Sequence, residues 1–125
     1  MQRLSRVLVV DDTDSVRRLI RTILEVEGIE VFTAVDGQEA LDVVRAIAPD
    51  LITMDVVMPR LDGLAAAAAL KANPETAPIP IVMVTARASE ADRDRGKAAG
   101  VDVYLTKPFE PCTLLAAVQS LLATS

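Results

Sequence analysis

The stretch "LITMDVVMPRLDG", residues 51–63, decides the fold. It begins as an apolar run, meets Asp55, continues through Val56, Val57 and Met58, and stops at Pro59. A short, continuous apolar run bounded by turn residues is the pattern of a parallel strand covered on both faces. An ionised carboxylate in such a run is expensive unless something pairs with it. The stretch therefore predicts a buried strand with an acid at its carboxyl end, and it asks what the acid is for.

Working outward, similar runs recur at "RVLVVD" (6–11), "EVFTA" (30–34), "DLITMD" (50–55), "IPIVMVT" (79–85) and "DVYLTK" (102–107). Helical patterns separate them. Val16, Leu19, Ile20, Ile23 and Leu24 form one stripe, and Gly28 is placed to end that helix. "DGQE" opens the second helix, with Asp36 as cap and Glu39 three residues on. Leu41, Val44 and Ile47 make its stripe, and Pro49 closes it. The third, roughly 62–72, is mostly alanine, with high helix propensity and a weak stripe. "SEAD" opens the fourth with Ser89 as cap, and Gly100 ends it; Gly96 inside is expected to weaken it. The last carries Leu114, Leu115, Val118, Leu121 and Leu122. Strict alternation gives (βα)5, a parallel sheet with helices on both faces.

Composition narrows the function. The chain has 125 residues, enough for one domain with a real core, built from aliphatics because there are two Phe, one Tyr and no Trp. A net charge of −5 argues against a nucleic-acid surface. Cys112 is the one cysteine, so no internal disulfide forms, and it reads as an inert helix residue. Histidine is absent, which removes the commonest general base and zinc ligand. No apolar run is long enough to span a membrane, and two aspartates follow the opening residues before any long apolar stretch. A cytoplasmic protein is expected.

Ligands of such sheets sit beyond the carboxyl ends of the strands. There the first run carries Asp11 and Asp12, the third Asp55, the fourth Thr85, and the fifth Lys107 followed by Pro108. The second offers nothing comparable. Three carboxylates in one cleft repel unless a cation joins them. Oxygen ligands alone select a hard ion, Mg²⁺ or Mn²⁺. A lysine and a hydroxyl beside it make a phosphoryl cradle, in which one carboxylate can act as nucleophile.

With "VLVVDD", "MDVVMPRLDG", "VTA" and "AAGVDVYLTKPF" in order on these elements, the chain resembles the response-regulator receiver domain, the family of the chemotaxis regulator. The resemblance implies a flavodoxin-like sheet of order 2-1-3-4-5 and a single receiver domain over 1–125. Asp55 would be the phosphoacceptor. Asp12, Asp55 and the backbone carbonyl of Val57 would ligate Mg²⁺, with Asp11 holding a metal-bound water. Lys107 would bind a phosphoryl oxygen, and its bond to Pro108 would be cis. Thr85 would be the switch hydroxyl and Tyr104 the switch aromatic, reshaping the face made by the fourth helix, fifth strand and fifth helix. The donor would be a sensor histidine kinase or a histidine phosphotransfer protein, and output would run through a downstream protein on that face. The chain would catalyse only its own phosphorylation and dephosphorylation. Val57 and Arg87 fall where the family flanks the attacking water; Val57 cannot orient water, so slow autodephosphorylation is expected.

Other readings compete. "VLVVDDTDSV" also fits the opening of haloacid-dehalogenase phosphatases, with Asp12 as nucleophile and Asp14 as general acid/base. That family needs an acidic pair after the lysine, and residues 108–125 offer only Glu110. Within the receiver reading, a stand-alone regulator is expected, and a receiver cut from a longer chain is the alternative. Pro59 and Gly63 read as backbone geometry. The charged fourth helix, with Glu90, Asp92, Arg93, Asp94, Arg95 and Lys97, reads as a partner surface.

Overall fold

The computed structural model describes residues 4–124; residues 1–3 and Ser125, the ends of the expected domain, lie outside the described residues. Ten elements alternate: β1 (Arg6–Val10), α1 (Asp14–Val26), β2 (Glu30–Ala34), α2 (Gly37–Ile47), β3 (Leu51–Met54), α3 (Gly63–Ala72), β4 (Ile81–Thr85), α4 (Glu90–Ala98), β5 (Val103–Thr106) and α5 (Pro111–Thr124). The five strands are parallel in the order β2-β1-β3-β4-β5, as expected.

Strand side chains alternate between faces. Val7, Val9, Leu51, Val82 and Val84 pack with Ile20 and Leu24 of α1 and with Leu114 and Val118 of α5. Leu8, Val10, Ile52, Met54, Ile81 and Met83 pack with Ala40 and Val44 of α2 and with Ala66, Ala67 and Leu70 of α3. The central strands β1, β3 and β4 are buried almost throughout. That is why their sequence is continuous in apolar residues rather than alternating.

The helix starts follow the expected chemistry. Asp36 accepts from Glu39 N–H at 2.8 Å, Asp62 from Ala65 N–H at 2.8 Å, and Ser89 with Asp92 forms a reciprocal capping box. Gly28 follows α1 with φ +79°, a left-handed turn that glycine adopts freely. Several strands are shorter than their apolar runs. Asp50 and Asp102 stand just before β3 and β5, where their carboxylates accept from Arg6 N–H and Ile81 N–H, both at 2.8 Å. They serve as side-chain acceptors for neighbouring strand starts.

Gly96 departs from expectation. It is buried, and a Cβ there would come within 2.9 Å of the Tyr104 ring. The missing side chain is a notch through which α4 lies against β5, so the gap in helix propensity is offset by packing. Within α4 it is the one buried residue, which leaves this helix thinly anchored.

Candidate functional site at the carboxyl edge of the sheet

Four expected residues come together. β1 delivers Asp11 and Asp12, β3 delivers Asp55, and β5 delivers Lys107, each one or two positions past the strand end. Backbone bonds continue the ladder to hold them: Asp11 N–H to Ala34 C=O (3.1 Å), Asp55 N–H to Val10 C=O (3.1 Å) and Lys107 N–H to Thr85 C=O (2.8 Å). Carboxylate oxygens of Asp11, Asp12 and Asp55 lie within 4.8 Å of one another. Lys107 Nζ donates to Asp11 Oδ2 at 2.8 Å and to Asp55 Oδ2 at 2.9 Å. Asp11 and Asp55 are buried, while Asp12 is exposed.

Burial by itself disfavours the Lys107 ammonium, but hydrogen bonds to Asp11 and then Asp55 outweigh it and hold its pKa above the ordinary value. Lys107 is therefore charged and bridges the two buried acids. Three carboxylates against one ammonium still leave two negative charges in the cleft. The donor set is all oxygen, so the residues fit one small divalent cation.

The loop walls are built from the same chain turns. Asp11 Oδ1 accepts from Thr13 N–H at 2.9 Å, and Arg17 donates to the Asp11 carbonyl at 2.8 Å. Arg17 also pairs with Asp14, which is not among the clustered acids. Across the cleft, Val57 N–H lies 3.4 Å from Asp55 Oδ1, and Val57 is 54% exposed. The Lys107–Pro108 bond is cis, as expected.

Thr85 and Tyr104 sit beside this cluster and are joined through one residue. Thr85 Oγ1 accepts from Arg87 N–H at 3.2 Å, and Tyr104 Oη donates to Arg87 C=O at 2.7 Å. The Arg93 guanidinium lies over the Tyr104 ring, 5.3 Å from its centroid. Burial and then the nearby Asp92 charge push the Tyr104 hydroxyl's pKa up.

Two residues of this region escaped the sequence reading. As expected, β2 adds no acid to the cluster, but two residues past its end Asp36, read only as a cap, is 3% exposed and takes two hydrogen bonds from Arg60. Arg60 drew no attention, because its partner is 24 positions away and its left-handed backbone, φ +64°, leaves no mark in the sequence. The fork and then the Glu39 amide hold the Asp36 carboxyl below its ordinary value.

An acid cluster bridged by lysine, at the carboxyl edge of a 2-1-3-4-5 sheet, defines the chemotaxis-regulator-like class of α/β proteins. The response regulator receiver domain matches residues 7–119, and the chain belongs to that family. It is 37% identical to chemotaxis protein CheY4 of Vibrio cholerae, with a TM-score of 0.90 covering 95% of this chain and 99% of that one. It is 44% identical over 117 residues to the probable transcriptional regulator ycf27 of Cyanophora paradoxa, covering 94% of this chain and 48% of the relative. Protein PilG of Pseudomonas aeruginosa is 37% identical, covering 92% of this chain and 85% of that protein. The chain thus spans about half the length of the ycf27 relatives it matches. Among the described residues no helix is long and apolar enough to cross a membrane.

Proposed function

We propose that Asp55 is the phosphoacceptor of a two-component or phosphorelay pathway. The observation that carries this is the Lys107 ammonium held between Asp11 and Asp55 at 2.8 and 2.9 Å. A carboxylate oxygen of Asp55 attacks the phosphorus of a phosphohistidine on a sensor kinase or phosphotransfer protein. The new O–P bond forms as the N–P bond breaks, and the imidazole leaves with the electron pair. Asp11, Asp12, Asp55 and the Val57 carbonyl are the groups that would hold Mg²⁺, or Mn²⁺ in its place, with Asp11 acting through water. The bound cation supplies the positive charge that lets phosphoryl oxygens approach these acids. Lys107 adds a second charge that donates to a phosphoryl oxygen, and it already stands on Asp55.

The donor has a seat beside this edge. Val16, Leu19, Pro108 and Phe109 line an apolar cleft of about 350 Å³ that includes Lys107. An apolar helix of the phosphodonor docked there brings its histidine next to Asp55. Once phosphorylated, Asp55 offers new acceptor oxygens to Thr85. Thr85 then gives up Arg87 N–H, and the Arg87 carbonyl, which holds Tyr104, moves with it. The contact exists in one state only, so it shifts the population of α4, β5 and α5 that a downstream protein reads. This chemistry is single-turnover self-phosphorylation and hydrolysis, placed in the cytoplasm with its donor.

Acetyl phosphate with Mg²⁺, followed by mass spectrometry, tests the assignment. Label on Asp55, lost in Asp55→Asn, is expected. Label on Asp12 overturns the reading and restores the dehalogenase-like alternative, in which Asp14 would have to leave Arg17.

A further inference from the structure

We propose that the Asp36–Arg60 pair is a positioning clamp that holds the loop after β3 in the shape needed to bind the divalent cation. The inference rests on the receiver reading of the acid cluster. Residues 55–63 leave β3 at Asp55 and return to α3 at Gly63, and Val57 lies within that loop.

The loop's closure is backbone-made. Gly63 N–H donates to Val56 C=O at 2.8 Å, and a Cβ on Gly63 would fall 1.9 Å from the Asp55 carbonyl oxygen. These contacts fix where the loop ends. They do not fix how its crest leans relative to the acids on β1. That is set on the far side, by α2. Arg60 Nε donates to Asp36 Oδ2 at 2.8 Å and Nη2 to Oδ1 at 3.1 Å, a planar two-point fork. Beside it, Gly37 N–H donates to Leu61 C=O at 3.1 Å, and a Cβ on Gly37 would come within 2.4 Å of that oxygen.

Asp36 is itself held from several sides. It is buried, it caps α2 through Glu39 N–H, and it stands two residues past β2, the neighbour of β1. The fork therefore ties the loop bearing Val57 to the β1 side of the sheet, where Asp11 and Asp12 stand. Arg60 adopts a left-handed backbone that non-glycine residues avoid, which persists only where surroundings over-determine it. Residues that orient ligands without touching the metal commonly change affinity 10–100-fold when altered. Lysine is no substitute, because a point charge cannot reproduce the fork.

The test uses the full chain. Arg60→Asn removes the fork yet keeps a residue at ease in left-handed backbone. Asp36→Asn keeps the cap of α2 and removes the charge. Mg²⁺ binding is measured by calorimetry, and amide hydrogen exchange of residues 56–61 is measured without Mg²⁺. Both variants are expected to bind Mg²⁺ about 10-fold more weakly, with Arg60→Lys between them and the wild type. Exchange at 56–61 is expected to quicken while that of β1 and β3 stays unchanged, which separates a loosened loop from a destabilised fold. Variants that bind within about twofold of the wild type overturn the clamp alone. A wild-type chain that binds no Mg²⁺ overturns the receiver reading and the clamp with it.

Discussion

Replacing Gly96 with alanine tests how the Tyr104 ring is held against α4. In an ordinary helix interior this substitution gains about 1 kcal/mol. Here the new Cβ would lie 2.9 Å from Tyr104 Cδ2 and 3.0 Å from Cε2, closer than carbon atoms pack. The ring has to swing outward. It then loses its 2.7 Å bond to the Arg87 carbonyl, which contributes about 0.5–1.5 kcal/mol. It also leaves the Arg93 guanidinium, which contributes about 0.5–1 kcal/mol. The losses amount to about 1–2.5 kcal/mol, so they equal or exceed the helix gain. Gly96→Ala is therefore expected to range from neutral to destabilising by about 1.5 kcal/mol. In a Tyr104→Ala background the clash is gone, and the same change should stabilise by about 1 kcal/mol. Urea unfolding of the four proteins, followed by far-ultraviolet circular dichroism, gives the coupling directly. The chain has one tyrosine and no tryptophan, so intrinsic emission reports Tyr104 alone and should change in Gly96→Ala. Equal stabilisation in both backgrounds, with unchanged emission, refutes the notch.

Three further outcomes follow from named contacts. Val57→Asn puts a hydrogen-bonding group beside Asp55 and should shorten the lifetime of phospho-Asp55; an unchanged or slower decay counts against Val57 as the residue that slows hydrolysis. Thr53 Oγ1 is buried without a hydrogen-bond partner, so Thr53→Val should stabilise by about 1 kcal/mol, and a lower urea midpoint would contradict it. Asp36 has its folded pKa lowered by Arg60 and Glu39, so its carboxylate stabilises the fold above the ordinary value of 3.8 and ceases to as pH falls through the folded value. The melting temperature of the wild type should exceed that of Asp36→Asn at neutral pH, and the gap should close in acid; a gap constant down to pH about 2 argues against the pairing.

Much of this was legible because parallel strands and their ends leave strong marks. The apolar runs give β1, β3 and β4, and the acids that interrupt them stand where the strands stop. Asp11 and Asp55 were readable for that reason: each is a charged residue ending an apolar run, and such a residue needs a partner. Asp12 and Lys107 were readable from their place just past a strand end. Arg60 and Gly96 were not readable, for a shared reason. Their significance lies in contacts with residues on other elements, Asp36 and Tyr104, made possible by a left-handed turn in one case and an absent side chain in the other. Local propensity speaks against Gly96 in a helix, and tertiary packing overrides it.

The aspartates at the two ends of the sheet stand in opposite electrostatic settings. At the amino ends, Asp50 and Asp102 accept from strand N–H groups that lack a ladder partner there. A carboxylate in that position is an acceptor facing donors, and at Asp102 the Lys71 ammonium stands 3.9 Å away as well. At the carboxyl ends the strands present carbonyl oxygens, so Asp11, Asp12 and Asp55 add acceptors to acceptors. The start of α1, two residues beyond Asp12, supplies partial positive charge. Lys107 supplies one full charge. Neither neutralises three carboxylates. The carboxyl edge is left with excess negative charge, which a small divalent cation is suited to offset.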